Sequence, residues 1–168
     1  MKKLKDVDYK ILFELIKNSK ISDRKLAQAL GVSQPTVTRR RAMLEREKLL
    51  DYTAIPNLEK LGFEILALTY ARCNYEVHPE EKETDAKVFL SKHPNVIFVS
   101  TGRGLGMNRM LVSLHKNYTD YAEFTKKLRE GWGKSFINVD TFMVSLKGDS
   151  ILRQFTFKFL ADYLREGD

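Results

Sequence analysis

Along roughly the first fifty positions apolar residues recur every three or four residues, and from Glu64 onward they gather into short runs and alternations. Val7, Ile11, Leu12, Leu15 and Ile16 predict a first helix with Asp6 as its N-cap. Leu26, Ala27 and Leu30 predict a second, closed by Gly31, where a turn needs a residue that tolerates positive φ. Ser33 supplies an N-cap oxygen for a third, Pro35 suits its first turn, and Val37 and Leu44 form its inner face. Two short helices joined by a glycine turn, with Val37 pointing back at the first of them, have helix-turn-helix spacing. Leu49–Pro56 reads as an extended segment in the position of a wing strand, and Asn57–Leu61 as a helical turn closed by Gly62. The predicted boundary therefore separates a helical domain, residues 1–62, from a second domain, residues 63–168.

The second domain reads as strand, helix, strand, strand, helix, strand. Ile65–Cys73 is an apolar run suited to a central strand, and His78–Pro94 is a helix with its acids near its N-terminal end. Val96–Thr101 and Arg109–His115 are strands around a glycine loop, Tyr118–Trp132 is a second helix, and Asn138–Leu146 a fourth strand. That order predicts a ferredoxin-like βαββαβ sheet with both helices on one face, giving an α+β chain overall. Leu66, Leu68 and Tyr70 alternate with Ile65, Ala67 and Thr69, so both sheet faces are apolar and a second copy of the chain is expected on the uncovered one. The tail Ser150–Arg165 fits a strand through Phe155, Phe157 and Phe159, or a helix through Leu152, Phe155, Phe159 and Tyr163; helix is favoured, with a place in that interface.

Charge sharpens the picture. The formal net charge is +7, and residues 1–52 hold 13 Lys and Arg against 7 Asp and Glu, while the rest of the chain holds 16 against 15. Basicity confined to the segment bearing the helix-turn-helix is a footprint of phosphate neutralisation. Such a motif presents its second helix to the DNA major groove. Gln34 suits adenine, Thr36 and Thr38 offer hydroxyls and methyls, and Arg39 and Arg40 suit guanine or phosphate. With Arg24 and Ser33 these are the candidate DNA-binding residues.

Other chemistry is poorly represented. The 168 residues are 43% hydrophobic, enough for a core in each domain, and no apolar run approaches the ~18 residues of a membrane helix. MKKLKDVDYK lacks the apolar stretch of a secretory signal, and the single cysteine, Cys73, reads as an inert thiol in a reducing compartment, so a cytoplasmic protein is expected. His78, His93 and His115 lack ligand spacing and the acids from Glu76 to Asp85 read as a solvated helix face, so neither metal nor cofactor nor catalytic residue is expected. Gly102, Gly104 and Gly106 fail a dinucleotide fingerprint at Met107 and read as a hairpin turn. Trp132 is expected to anchor its helix end to the core.

LKDVDYKILFELIKNSKIS, LAQALGVSQPTVTRRRAMLE and the LEKLGF linker together resemble the Lrp/AsnC family of prokaryotic regulators over roughly residues 4–147. The resemblance implies a winged helix-turn-helix domain and a ferredoxin-like effector and dimerisation domain, in a transcription factor that assembles as a dimer or larger oligomer and binds an amino acid or similar metabolite. It points to Thr101, Gly102, Arg103 and Gly104 as effector-binding residues. Related proteins commonly carry an aspartate after the Thr-Gly pair and an apolar residue where Arg41 stands; this chain has neither, so Arg41 is the least expected of the three arginines to touch a base, and an acidic metabolite is an alternative effector. Two other functions fit the same scaffold: a tetrapyrrole-binding enzyme similar to the sirohaem decarboxylases, and an architectural DNA-binding protein of low sequence preference.

Overall fold

The computed structural model describes residues 4–74, 87–132 and 136–165. They form two compact units, one built from the chain up to Ile55 together with the chain from Gln154 on, the other from Pro56–Arg153.

In the first unit α1 (Asp6–Lys17), α2 (Asp23–Leu30) and α3 (Gln34–Arg46) enclose Ile11, Leu15, Leu26, Ala27, Val37 and Leu44. This is the apolar stripe that the sequence periodicity marks. Lys5, not Asp6, caps α1, because Asp8 one turn in reaches back to accept the Lys5 backbone N–H at 2.7 Å. Ser22 caps α2 through the Lys25 N–H, and Gly31 ends it at φ 65°, so that the Val32 N–H reaches the Ala27 carbonyl. Ser33 occupies the N-cap position of α3, but its hydroxyl pairs with that of Thr36 at 2.9 Å and makes no cap bond to the backbone.

Two expectations are corrected here. Residues 50–57 form no strand, since no neighbouring segment offers them a ladder of hydrogen bonds, and the expected wing strand is absent among the described residues. The tail does form a helix, α6 (Lys158–Arg165), but it belongs to the helical unit. It packs on α1, with Ala161 fully buried and Asp162 paired to Lys17 at 2.9 Å.

The second unit is an antiparallel sheet of β1 (Ile65–Cys73), β2 (Val96–Gly104), β3 (Met107–His115) and β4 (Phe136–Ser145), in the order β2-β3-β1-β4. This is the predicted ferredoxin-like order. Of the first crossover helix, α4, residues 87–92 are described; the second is α5 (Tyr118–Trp132). The acid run Glu76–Asp85, His78 and the Trp132 side chain lie outside the described residues. One sheet face meets Phe89, Phe124 and Leu128 of these helices through Leu111, Val96, Val99 and Phe136. On the other face Phe98, Val112, Leu68 and Phe142 form one continuous cross-strand row, with Phe98 50% and Phe142 64% exposed. Glu64 and Lys147 join at 2.5 Å where β1 begins and β4 ends. No helix among the described residues is long and apolar enough to cross a membrane.

Candidate nucleic-acid interface

Val37 and Leu44, both fully buried, fix which side of α3 faces the core. Positions half a turn away therefore face outward, and Arg39 and Ala42 are exposed there, while Gln34 is exposed as the first residue of the helix. Neither Gln34 nor Arg39 makes a side-chain hydrogen bond or ion pair to another described residue. Arg24, on α2, is also exposed. Arg46 stands two turns beyond Arg39 on the same outward side, 69% exposed at its side chain and paired loosely to Glu47 at 3.4 Å. Sequence reasoning passed over Arg46, although its seven-residue spacing from Arg39 was a usable signal.

The other candidates are engaged inside the unit. The Arg40 side chain is only 20% exposed, and its Nη1 lies 3.5 Å from Oδ2 of Asp8, a fully buried carboxylate. The Thr38 hydroxyl donates to Asp23 Oδ2 at 2.7 Å. The hydroxyls of Ser33 and Thr36 bond to each other at the start of α3. Of the seven sequence candidates, Arg24, Gln34 and Arg39 thus offer side chains with no partner among the described residues, while Arg40 is turned toward α1.

Arg41 is the most constrained side chain of the motif. Nη1 donates to Asp23 Oδ1 at 3.0 Å and to the Ile21 carbonyl at 3.2 Å, Nη2 to the Ser19 carbonyl at 3.4 Å, and Nε to Tyr52 Oη at 2.7 Å and Glu45 Oε1 at 3.3 Å. Burial works to lower its pKa, but the bonds from Asp23 and Tyr52 outweigh that and hold it raised. Tyr52 in turn donates to Glu45 Oε1 at 2.8 Å, and burial together with that bond pushes its phenol up. The segment after α3 is therefore tied down by a side-chain network in place of a strand ladder.

The second site is at the β2–β3 hairpin. Gly104 pairs with Met107 across Leu105 and Gly106, which have φ of 52° and 71°, the geometry of a two-residue turn with both central residues left-handed. The strands run closer to the turn than the alternation suggested, because Gly104 pairs with Met107 beyond a register shift after Thr101. Beside this turn lies an open groove of about 250 Å³. Tyr70, Phe98, Met107 and Met110 supply apolar walls, Ser100 and Arg109 polar ones, and all four sequence candidates, Thr101, Gly102, Arg103 and Gly104, line it with Leu105.

His93, His115 and Cys73 have structural surroundings. His115 is fully buried, bonds Ser113 through Nε2 at 2.8 Å, and contacts the Tyr121 and Phe124 rings. His93 stacks on Phe89 with ring centroids 3.9 Å apart. Cys73, half-buried at the end of β1, has its backbone N–H and carbonyl both bonded by the Asn108 amide. Among the described residues no three His, Cys, Asp or Glu side chains cluster as metal ligands.

A winged helix-turn-helix DNA-binding family model matches residues 4–50. An uncharacterized HTH-type transcriptional regulator of Pyrococcus furiosus is 30% identical over 105 residues, covering 62% of this chain and 68% of the relative. Among solved structures, an AsnC family transcriptional regulator from Agrobacterium tumefaciens has a TM-score of 0.76 at 19% identity, covering 96% of this chain and 99% of that one. A transcriptional regulator from Neisseria meningitidis, in complex with L-Met, has a TM-score of 0.74 at 19% identity, covering 84% and 90%.

Proposed function

Because the chain belongs to the HTH-type transcriptional regulators and has the fold of the Lrp/AsnC regulators, we propose that two copies read a two-fold symmetric DNA site in the cytoplasm, each through the outer face of α3. The observation that carries this reading is the division of α3 into a buried side, Val37 and Leu44, and an opposite side bearing Arg39, with Gln34 exposed at the helix start, neither of the two having a side-chain partner among the described residues. Gln34 suits adenine N6/N7 and Arg39 suits guanine O6/N7. Arg46 and Arg24 serve as phosphate contacts, Ser33 and Thr36 approach the backbone at the start of the helix, and Thr38 and Arg40 orient it.

The apolar row Phe98, Val112, Leu68 and Phe142 supports the dimer, since two such faces placed together remove aromatic surface that one copy leaves in water. The hairpin groove supports a small-metabolite effector. Its Arg103 guanidinium and Thr101 hydroxyl suit a carboxylate, and its methionines and aromatic rings suit an apolar side chain, as in an amino acid such as the L-Met of the neisserial regulator.

Selection of duplexes from a random pool tests the reading. The expected result is an inverted repeat with half-sites about 10 base pairs, or a multiple of that, between centres. Recovery of sequences without dyad symmetry contradicts it. Light scattering of Phe142→Lys, with a mass half that of the unmodified protein, is the companion expectation for the sheet interface.

A further inference from the structure

We propose that Arg41 is a positioning residue that sets the angle at which α3 meets DNA, acting through Asp23 and Tyr52 and making no DNA contact itself. The inference rests on the reading of α3 as the DNA-reading helix. Three separate pieces of chain converge on this one guanidinium: the α1–α2 loop through the Ser19 and Ile21 carbonyls, the first residue of α2 through Asp23, and the segment after α3 through Tyr52. Asp23 uses its second oxygen for the Thr38 hydroxyl at 2.7 Å, so one carboxylate holds two residues of α3 that lie almost a turn apart. The guanidinium also lies over the Tyr52 ring, 5.1 Å from its centroid.

This geometry accounts for an arginine on the inner stripe of a helix, next to Val37 and Leu44, where an apolar side chain would otherwise pack. An apolar residue there would fill space, but it would not fix the rotation of α3 about its own axis. The planar fork does, because its donors leave in fixed directions toward acceptors on α2 and on both flanking segments. A lysine carries the same charge with one freely turning ammonium and cannot reproduce the set. Residues 50–57 form no strand, and the Arg41 and Tyr52 bonds tie α3 to this segment on its far side.

The test compares Arg41→Lys, Asp23→Asn and Arg39→Ala on a duplex selected by the unmodified protein and on a scrambled duplex, across a salt series. Arg41→Lys is expected to lower the preference for the selected duplex about tenfold while leaving the salt slope unchanged. Asp23→Asn is expected to lower the same preference even though it removes a negative charge near DNA, which by charge alone would raise affinity for both duplexes. A wild-type ratio in Arg41→Lys, or a general rise in affinity with an unchanged ratio in Asp23→Asn, overturns the proposal.

Amide hydrogen exchange on the DNA-free protein supplies the independent arm. Protection over residues 34–38 is expected to fall in Arg41→Lys and Asp23→Asn and to stay constant in Arg39→Ala. Unchanged protection in all three overturns the positioning role whatever the binding data show. Absence of any discrimination by the unmodified protein, with exchange altered as expected, removes the DNA reading and leaves the clamp.

Discussion

Arg40, on α3, places its guanidinium 3.5 Å from the carboxylate of Asp8, which has no exposed surface. Asp8 Oδ2 takes both this contact and the Lys5 backbone N–H, while Oδ1 has no hydrogen-bond partner among the described residues. Removing Arg40 therefore takes from this buried carboxylate its ion-pair partner and leaves it the Lys5 N–H. Arg40→Ala is expected to destabilise the helical unit by about 3–5 kcal/mol, read from chemical denaturation, whereas Arg39→Ala at an exposed position changes stability by about 0.5 kcal/mol or less. Equal, small effects of the two substitutions would contradict the inward role of Arg40.

His115 is expected to make the sheet unit sensitive to acid. Burial lowers its pKa below the usual histidine value, and the Asp120 carboxylate, 3.8 Å from Nδ1, only partly opposes that. A pKa lower in the folded state than in the unfolded chain means that stability is fully present above about pH 6.5 and is lost as pH falls through the folded value. His115→Gln is expected to flatten this part of the stability profile. An unchanged profile in the variant would place the acid sensitivity elsewhere.

Leu105 sits 82% exposed at the hairpin tip with φ of 52°, a conformation that L side chains other than Asn and Asp adopt at a cost of about 1 kcal/mol or more. Leu105→Asn, giving an Asn-Gly turn, is expected to stabilise the protein by about 1 kcal/mol, measured by denaturation. Because Leu105 also lines the groove, the same variant is expected to bind any effector found in a thermal-shift screen more weakly. Stabilisation with full effector response would remove Leu105 from the binding surface.

The return of the chain to α1 through α6 is testable by charge insertion. Ala161 is fully buried in that contact, so Ala161→Arg forces either an unpaired charge inside or release of the helix. Release is expected, at a cost of about 2 kcal/mol or more, appearing as new protease cleavage within residues 154–157. Wild-type resistance to protease would mean that α6 contributes little to the unit.

The sequence made some of this legible and not the rest, for physical reasons that differ from residue to residue. Periodicity reports burial, so it located Ile11, Leu26, Val37 and Leu44, and alternation with turn signals located four strands in ferredoxin-like order. Gly31 announced its own left-handed turn. An arginine's destination is another matter, because it depends on which acid another element brings near. Arg40 finds Asp8 of α1 and Arg41 finds Asp23 of α2, and nothing local to RRR distinguishes those from Arg39. The residues after Lys48 looked extended but lacked a strand to pair with, and the tail's apolar stripe did not say which surface it would cover. At the groove, Thr101–Gly104 came from family resemblance, whereas the walls from Tyr70, Phe98 and Met110 follow only from the register of β1, β2 and β3.

The central claim is that the outer side of α3 reads bases, and equilibrium binding of Arg39→Ala to the selected and scrambled duplexes tests it most directly. Loss of a bidentate guanine contact predicts a fall of about 1–3 kcal/mol, roughly ten- to hundredfold, on the selected duplex and a much smaller change on the scrambled one. Unchanged affinity for the selected duplex, or an equal loss on both, would contradict it.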